Sequence, residues 1–173
     1  MTALDFLKEL KKYIESEICA KLKLQSESNE EYVNPNIYIM HLPNENFNPK
    51  DFTVPFFAVE LDNAEDADDE HTLDIRLTIA TYGGGYYLDF DENKTDIPDG
   101  NGYIDLLNAI ELTKQALLRN PTINGSGLIN KPISYGTYDV DAPFPYWYGF
   151  LKFKANIANS NYILERGEIW YVI

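Results

Sequence analysis

A single cysteine, Cys19, stands in this chain, so no internal disulfide can form, and that usage suits a reducing compartment. Cys19 lies in a helical pattern with no histidine near it in sequence, and reads as a packed thiol rather than a nucleophile. Histidine is almost as scarce. His41 and His71 are far apart, and only His71 lies among acids, where solvated loop acids are a plainer reading than metal ligands. No apolar run approaches the ~20 residues that cross a bilayer, which excludes a spanning helix. The segment Met1–Leu10 is amphipathic and carries acids, unlike a secretion signal. Basic residues are also few, 14 Lys and Arg against 28 Asp and Glu, for a formal charge of −14. Such a chain repels the phosphates that a duplex-binding protein must neutralise, so specific nucleic-acid binding is not expected.

Catalytic and metal motifs are missing in the same way. Gly83, Gly84 and Gly85 are followed by no lysine, serine or threonine at phosphate-loop spacing. The run Asp99-Gly-Asn-Gly-Tyr-Ile-Asp105 imitates the middle of a calcium loop. With Gly102 at the obligatory glycine, however, Ile97 and Asn108 fall where the first and last acidic ligands belong. A turn and helix cap is the better reading, with Asn101 as the expected cap. No nucleophile stands with a base, so no enzyme activity and no cofactor is expected.

What is present suits one globular domain. The chain has 173 residues, 45% of them hydrophobic, enough for a real core. Charge is spread unevenly. Sixteen acids from Asp51 to Glu111 face only Arg76 and Lys94, whereas five bases, Lys8, Lys11, Lys12, Lys21 and Lys23, crowd the N-terminal segment. The plain reading of this acidity is a solvated face that aids solubility; the sharper reading is a surface past which DNA slides, or on which a basic partner docks.

Periodicity predicts the elements. Leu4, Leu7, Leu10, Ile14, Ile18 and Leu22 recur at three- and four-residue steps, which predicts a helix over 3–24, with Thr2 and Asp5 as a capping pair. Residues 36–42 and 54–61 read as strands, and 62–70 as a solvated connection. Leu73, Ile75, Leu77 and Ile79 alternate with polar residues, the cleanest strand pattern in the chain. Residues 83–100 read as a long irregular loop. A helix over 102–119 follows, its core face carrying Tyr103, Leu106, Leu107, Ile110 and Leu117, stopped by Pro121. A strand over 133–138 and the alternation Leu151, Phe153, Ala155, Ile157 complete a core spanning 54–158. Residues 159–173 form a C-terminal extension of unassigned role. Strands cluster in hairpins, which predicts a single α+β domain: a mostly antiparallel sheet with two main helices packed on one side.

The order of motifs is distinctive. A strand Thr72–Tyr82 precedes a helix opening Gly102-Tyr-Ile-Asp-Leu-Leu107 and closing Leu117-Leu-Arg-Asn-Pro121. A strand then leads into Asp141-Ala-Pro-Phe-Pro-Tyr-Trp-Tyr-Gly149 and a last strand, Phe150–Ile157. Over roughly residues 54–158 this order resembles the tail terminator and head–tail joining (tail completion) proteins of long-tailed bacteriophages and prophages. The resemblance implies a structural protein that caps the tail tube as a ring, commonly a hexamer, and offers the surface to which the filled head attaches. Its implied partners are further copies of itself, the tail tube protein and a head completion or connector protein. Its implied location is the virion, or the host cytoplasm during assembly. Charge complementarity nominates Lys8, Lys11 and Lys12 for one side of a subunit contact and Asp66, Asp68 and Asp69 for the other. Phe144, Tyr146 and Trp147 are candidate apolar anchors. The alternative is an acidic binding module of immunity or inhibitor type that masks a basic nuclease or toxin. A tail protein self-associates, whereas an inhibitor stays small until its partner is added.

Overall fold

The computed structural model describes residues 1–28, 31–40, 53–67, 70–138 and 144–158. Thr2 opens helix α1 (Ala3–Ile14) with a reciprocal capping box: its hydroxyl accepts from Asp5 N, and the Asp5 carboxylate accepts from Thr2 N. Phe6, Leu7, Leu10, Tyr13 and Ile14 are buried, while Leu4 faces solvent. A single π-helical turn, Glu15–Cys19, carries Ile18 and Cys19 inward. The predicted helix over 3–24 therefore ends early. The reason is tertiary: the Asn34 side-chain amide donates to Cys19 O at 2.7 Å and Leu22 O at 3.1 Å, satisfying the carbonyl end from another segment. Leu24 already belongs to strand β1 (Leu24–Gln25), paired with β2 (Tyr32–Val33).

The remaining strands are β3 (Asn36–Ile39), β4 (Phe56–Asp66), β5 (Glu70–Tyr82), β6 (Tyr86–Leu88) and β7 (Lys94–Pro98). Helix α2 (Asn101–Arg119) follows, then β8 (Thr122–Ile123), β9 (Gly127–Thr137) and β10 (Tyr146–Ala158). Six of them form one sheet in the order β3-β4-β5-β10-β9-β8. All neighbours are antiparallel except β3 and β4, so the sheet is mixed at one edge. Its two central strands are those with the clearest alternation. Leu151 lies opposite Leu77, Phe153 opposite Ile75 and Ala155 opposite Leu73, all buried beneath α1 and α2. Each large apolar side chain buried this way contributes about 1.5–3 kcal/mol. The fold is thus a single α+β unit with both helices on one face.

Several local expectations differ. Residues 62–66 continue β4 and residue 70 begins β5; these strands lengthen a hairpin where a loop was expected, because β5 supplies backbone partners even to residues with no core to reach. The loop expected over 83–100 contains the hairpin β6–β7, which stands apart from the main sheet. Strand β9 starts well before residue 133. Pro132 is accommodated because β8 covers only the first residues of β9 and, among the described residues, no strand pairs with the rest of that edge. Gly100, not Asn101, is the N-cap of α2, with φ 72°, and Asp99 Oδ1 accepts from Asn101 N at 3.0 Å. Tyr103 and Leu107 are exposed rather than core residues. His41, Leu42, the connection 139–143 and the extension 159–173 lie outside the described residues. Among the described residues no helix is long and apolar enough to cross a membrane.

Candidate interaction surface

Strand alternation divides the predicted aromatic anchors. Trp147 points to the helix side, where its ring lies 5.6 Å from Tyr103 on the first turn of α2. Phe144 stands edge-on to Trp147 at 6.5 Å and to Tyr86 at 5.2 Å. The four rings Tyr86, Phe144, Trp147 and Tyr103 therefore run from the root of the β6–β7 hairpin to α2, where exposed Ile104 and Leu107 extend the patch. Such offset and edge contacts add about 0.5–1.5 kcal/mol per pair beyond burial. Tyr146 goes to the opposite face and packs on Tyr82 at 5.7 Å. Desolvation, then the neighbouring Glu27 carboxylate, push its phenol up to about 12.

Among the described residues the charged candidates are not brought together within one copy. Lys8 and Lys12 are exposed on α1 and Lys11 is half-buried. Lys12 is paired with Glu9 at 2.6 Å, and Glu9 also accepts from Asn124 at 3.1 Å. Asp66 lies at the far end of β4, 3.5 Å from His71 Nδ1. Asp68 and Asp69 lie outside the described residues. Among the described residues no ion pair joins the α1 lysines to Asp62, Glu65 or Asp66. Part of the acidity expected of this region is already neutralised: Asp62 meets Arg76 at 2.8 Å and Lys152 at 3.7 Å, and Asp74 meets Lys154 at 3.1 Å. The exposed acids that remain on β4 are Glu65 and Asp66.

The buried hydroxyls and the thiol have structural partners or surroundings. Thr81 donates to Gly102 O at 2.7 Å, Thr113 to Ala109 O at 2.7 Å and Thr78 to buried Glu60 at 2.9 Å. Cys19 is 3% exposed, and desolvation pushes its thiol up to about 12, far from a reactive thiolate. Among the described residues no three His, Cys, Asp or Glu converge as metal ligands.

Sequence reasoning missed the most exposed apolar residues. The β6–β7 hairpin presents Tyr87, Leu88 and Ile97 at more than half exposure, and Phe90 at its tip is fully exposed. Asp89 organises that tip: its Oδ1 accepts from Asp91 N at 2.9 Å and Asn93 N at 2.8 Å, and Asp89 N donates to Asn93 O at 2.9 Å. The signal was the pair of short β-prone runs, Tyr86–Leu88 and Thr95–Ile97, around an Asp- and Asn-rich turn. Four glycines and five acids between residues 83 and 100 obscured it. No protein-family model and no curated protein matches the chain.

Proposed function

We propose that the chain is a structural assembly protein, a tail terminator or head–tail joining protein of a long-tailed phage or prophage that acts as a ring of copies, commonly six. The observation that carries this reading is the apolar surface left open on the β6–β7 hairpin and α2 of a chain with net charge −14. Net charge keeps single copies soluble, while contiguous apolar surface is stabilised only when a complementary surface covers it. The order of motifs from Thr72 to Ile157 supplies the identity of the assembly.

In this reading the work is interface complementarity, without covalent chemistry or a cofactor. The basic face of α1, with Lys8, Lys11 and Lys12, steers a neighbour's acidic face into register, and the aromatic row around Trp147 anchors the apolar part of a contact with a copy or with the tail tube protein. A head completion or connector protein takes the other end of the ring. The chain then works in the virion, and in the host cytoplasm before assembly. Light scattering across concentration, with electron microscopy of purified tail tubes plus the protein, tests this: rings, free or on tube ends, are expected. A chain that stays monomeric in both settings overturns it.

The second reading, an acidic module that masks a basic nuclease or toxin, is favoured by Asp89, Asp91 and Glu92 around Phe90, an acidic knob with an apolar centre. It requires a monomer that forms a one-to-one complex when the basic partner is added.

A further inference from the structure

Helix α2 has a projecting knob at one end and a hollow at the other. The β6–β7 hairpin is rooted at the N-terminal end of α2, where Asp99 N donates to Gly85 O at 3.0 Å. Beyond that root the hairpin carries Phe90 fully into solvent. At the C-terminal end of α2 a hollow of about 290 Å³ opens between α2 and the end of α1, lined by apolar Ile18, Leu112 and Ala116 and by polar Glu17, Gln115 and Asn120. That size lies near the lower limit of ~300–1,000 Å³ for small-molecule sites, and is enough for one aromatic side chain. Lys21 and Arg119 stand on its rim. Lys21 is paired with Glu17 at 2.7 Å, whereas Arg119 has no acidic partner among the described residues.

We infer that Phe90 of one copy inserts into the α1–α2 hollow of the next, with Asp89, Asp91 and Glu92 meeting Arg119 and Lys21. Three observations converge on a second copy as the occupant. The knob is an aromatic ringed by acids, and the hollow combines apolar Ile18, Leu112 and Ala116 with two bases, Lys21 and Arg119, against one acid, Glu17, so an aromatic with acidic neighbours suits it in both contact and charge. No hairpin residue lines the hollow of its own copy, and the root and the hollow are separated by eleven residues or more of α2, roughly 16 Å at 1.5 Å per residue. The tip is held by the Asp89 hydrogen bonds before any contact, so little ordering is lost on docking. Because knob and hollow are different surfaces, the contact is heterologous and repeats from copy to copy until it closes. This inference rests on the self-assembly reading above and specifies its contact.

The test uses two variants of the full chain. Phe90→Ser removes the knob from an exposed turn, and Leu112→Arg fills the hollow at a half-exposed position; circular dichroism checks that both remain folded. By light scattering, each variant alone should self-associate about thirtyfold more weakly than wild type or worse, as for loss of a buried aromatic anchor. Mixed one to one, the knob of the Leu112→Arg protein still fits the hollow of the Phe90→Ser protein, so the mixture should give a dimer of the two and stop there. Wild-type rings with Phe90→Ser rings of equal stability overturn this contact while leaving the ring reading intact. A mixture that stays monomeric also overturns it. A wild-type chain that is monomeric alone overturns the contact, and the ring reading falls with it only if tail tubes fail to recruit the protein as well.

Discussion

Gly102 and Trp147 meet with no room for a side chain between them. A methyl group on Gly102 would lie 2.6 Å from Trp147 Nε1 and 2.8 Å from the Gly83 backbone nitrogen. The Gly102 carbonyl meanwhile accepts from buried Thr81 at 2.7 Å. The first turn of α2 is therefore clasped by β5, by the segment after it and by β10, and the indole is placed by shape: its N–H is buried and has no hydrogen-bond partner among the described residues. Glycine is required here for close approach, and the aromatic row from Tyr86 to Tyr103 depends on it.

Gly102→Ala should therefore destabilise the fold by about 1–3 kcal/mol, the usual cost of overpacking. Urea denaturation measures it through a lower midpoint with an unchanged slope. A midpoint equal to wild type would show that Trp147 gives way freely.

Thr2→Ala should cost about 1 kcal/mol by removing the α1 cap. The Thr2 hydroxyl and backbone hold the Asp5 carboxyl below its ordinary value of 3.8. A depressed folded pKa means that the unfolded chain binds the proton first, so this contribution is present above the ordinary value and is lost as pH falls through the folded one. The difference in stability between wild type and Thr2→Ala should thus be full at neutral pH and shrink on acidification below 3.8. A difference constant with pH would assign the effect to the hydroxyl alone.

Cys19 should resist thiol reagents in the native protein and react only on unfolding, because it is buried and its thiol is raised to about 12. A raised folded pKa gives stability that is intact below the ordinary thiol value of 9.0 and lost as pH climbs toward about 12. Cys19→Ala should be less stable at neutral pH and should lose less stability than wild type over that alkaline window. Labelling at the rate of a free thiol in folded protein would contradict the packing around it.

Reversing Lys8, Lys11 and Lys12 to Glu should leave the protein folded, since charges and ion pairs at the surface contribute only about 0–1 kcal/mol each and only Lys11 is half-buried. Association should be slowed and weakened, and more so at low salt, where charge steering acts over longer distances. Light scattering in a salt series reads this out. Assembly equal to wild type at low salt would remove the α1 lysines from the contact.

The central strands and the helix positions were legible in the sequence because their causes are local. Leu73 to Ile79 and Leu151 to Ile157 alternate with period two, and a half-buried strand is the only regular structure that places such residues on one face. Leu106, Ile110 and Leu117 similarly required a helix. What the tertiary structure decided is whatever depends on a distant partner. Asn34 ends the first helix from outside it, β5 converts the acids 62–66 from loop to strand, and β10 sends Tyr146 away from Trp147. The candidate contact is of this second kind: Phe90 and Leu112 carry no shared pattern along the chain, and only the packing of α1 against α2 makes a hollow at Leu112 and only the Asp89 turn makes a knob of Phe90.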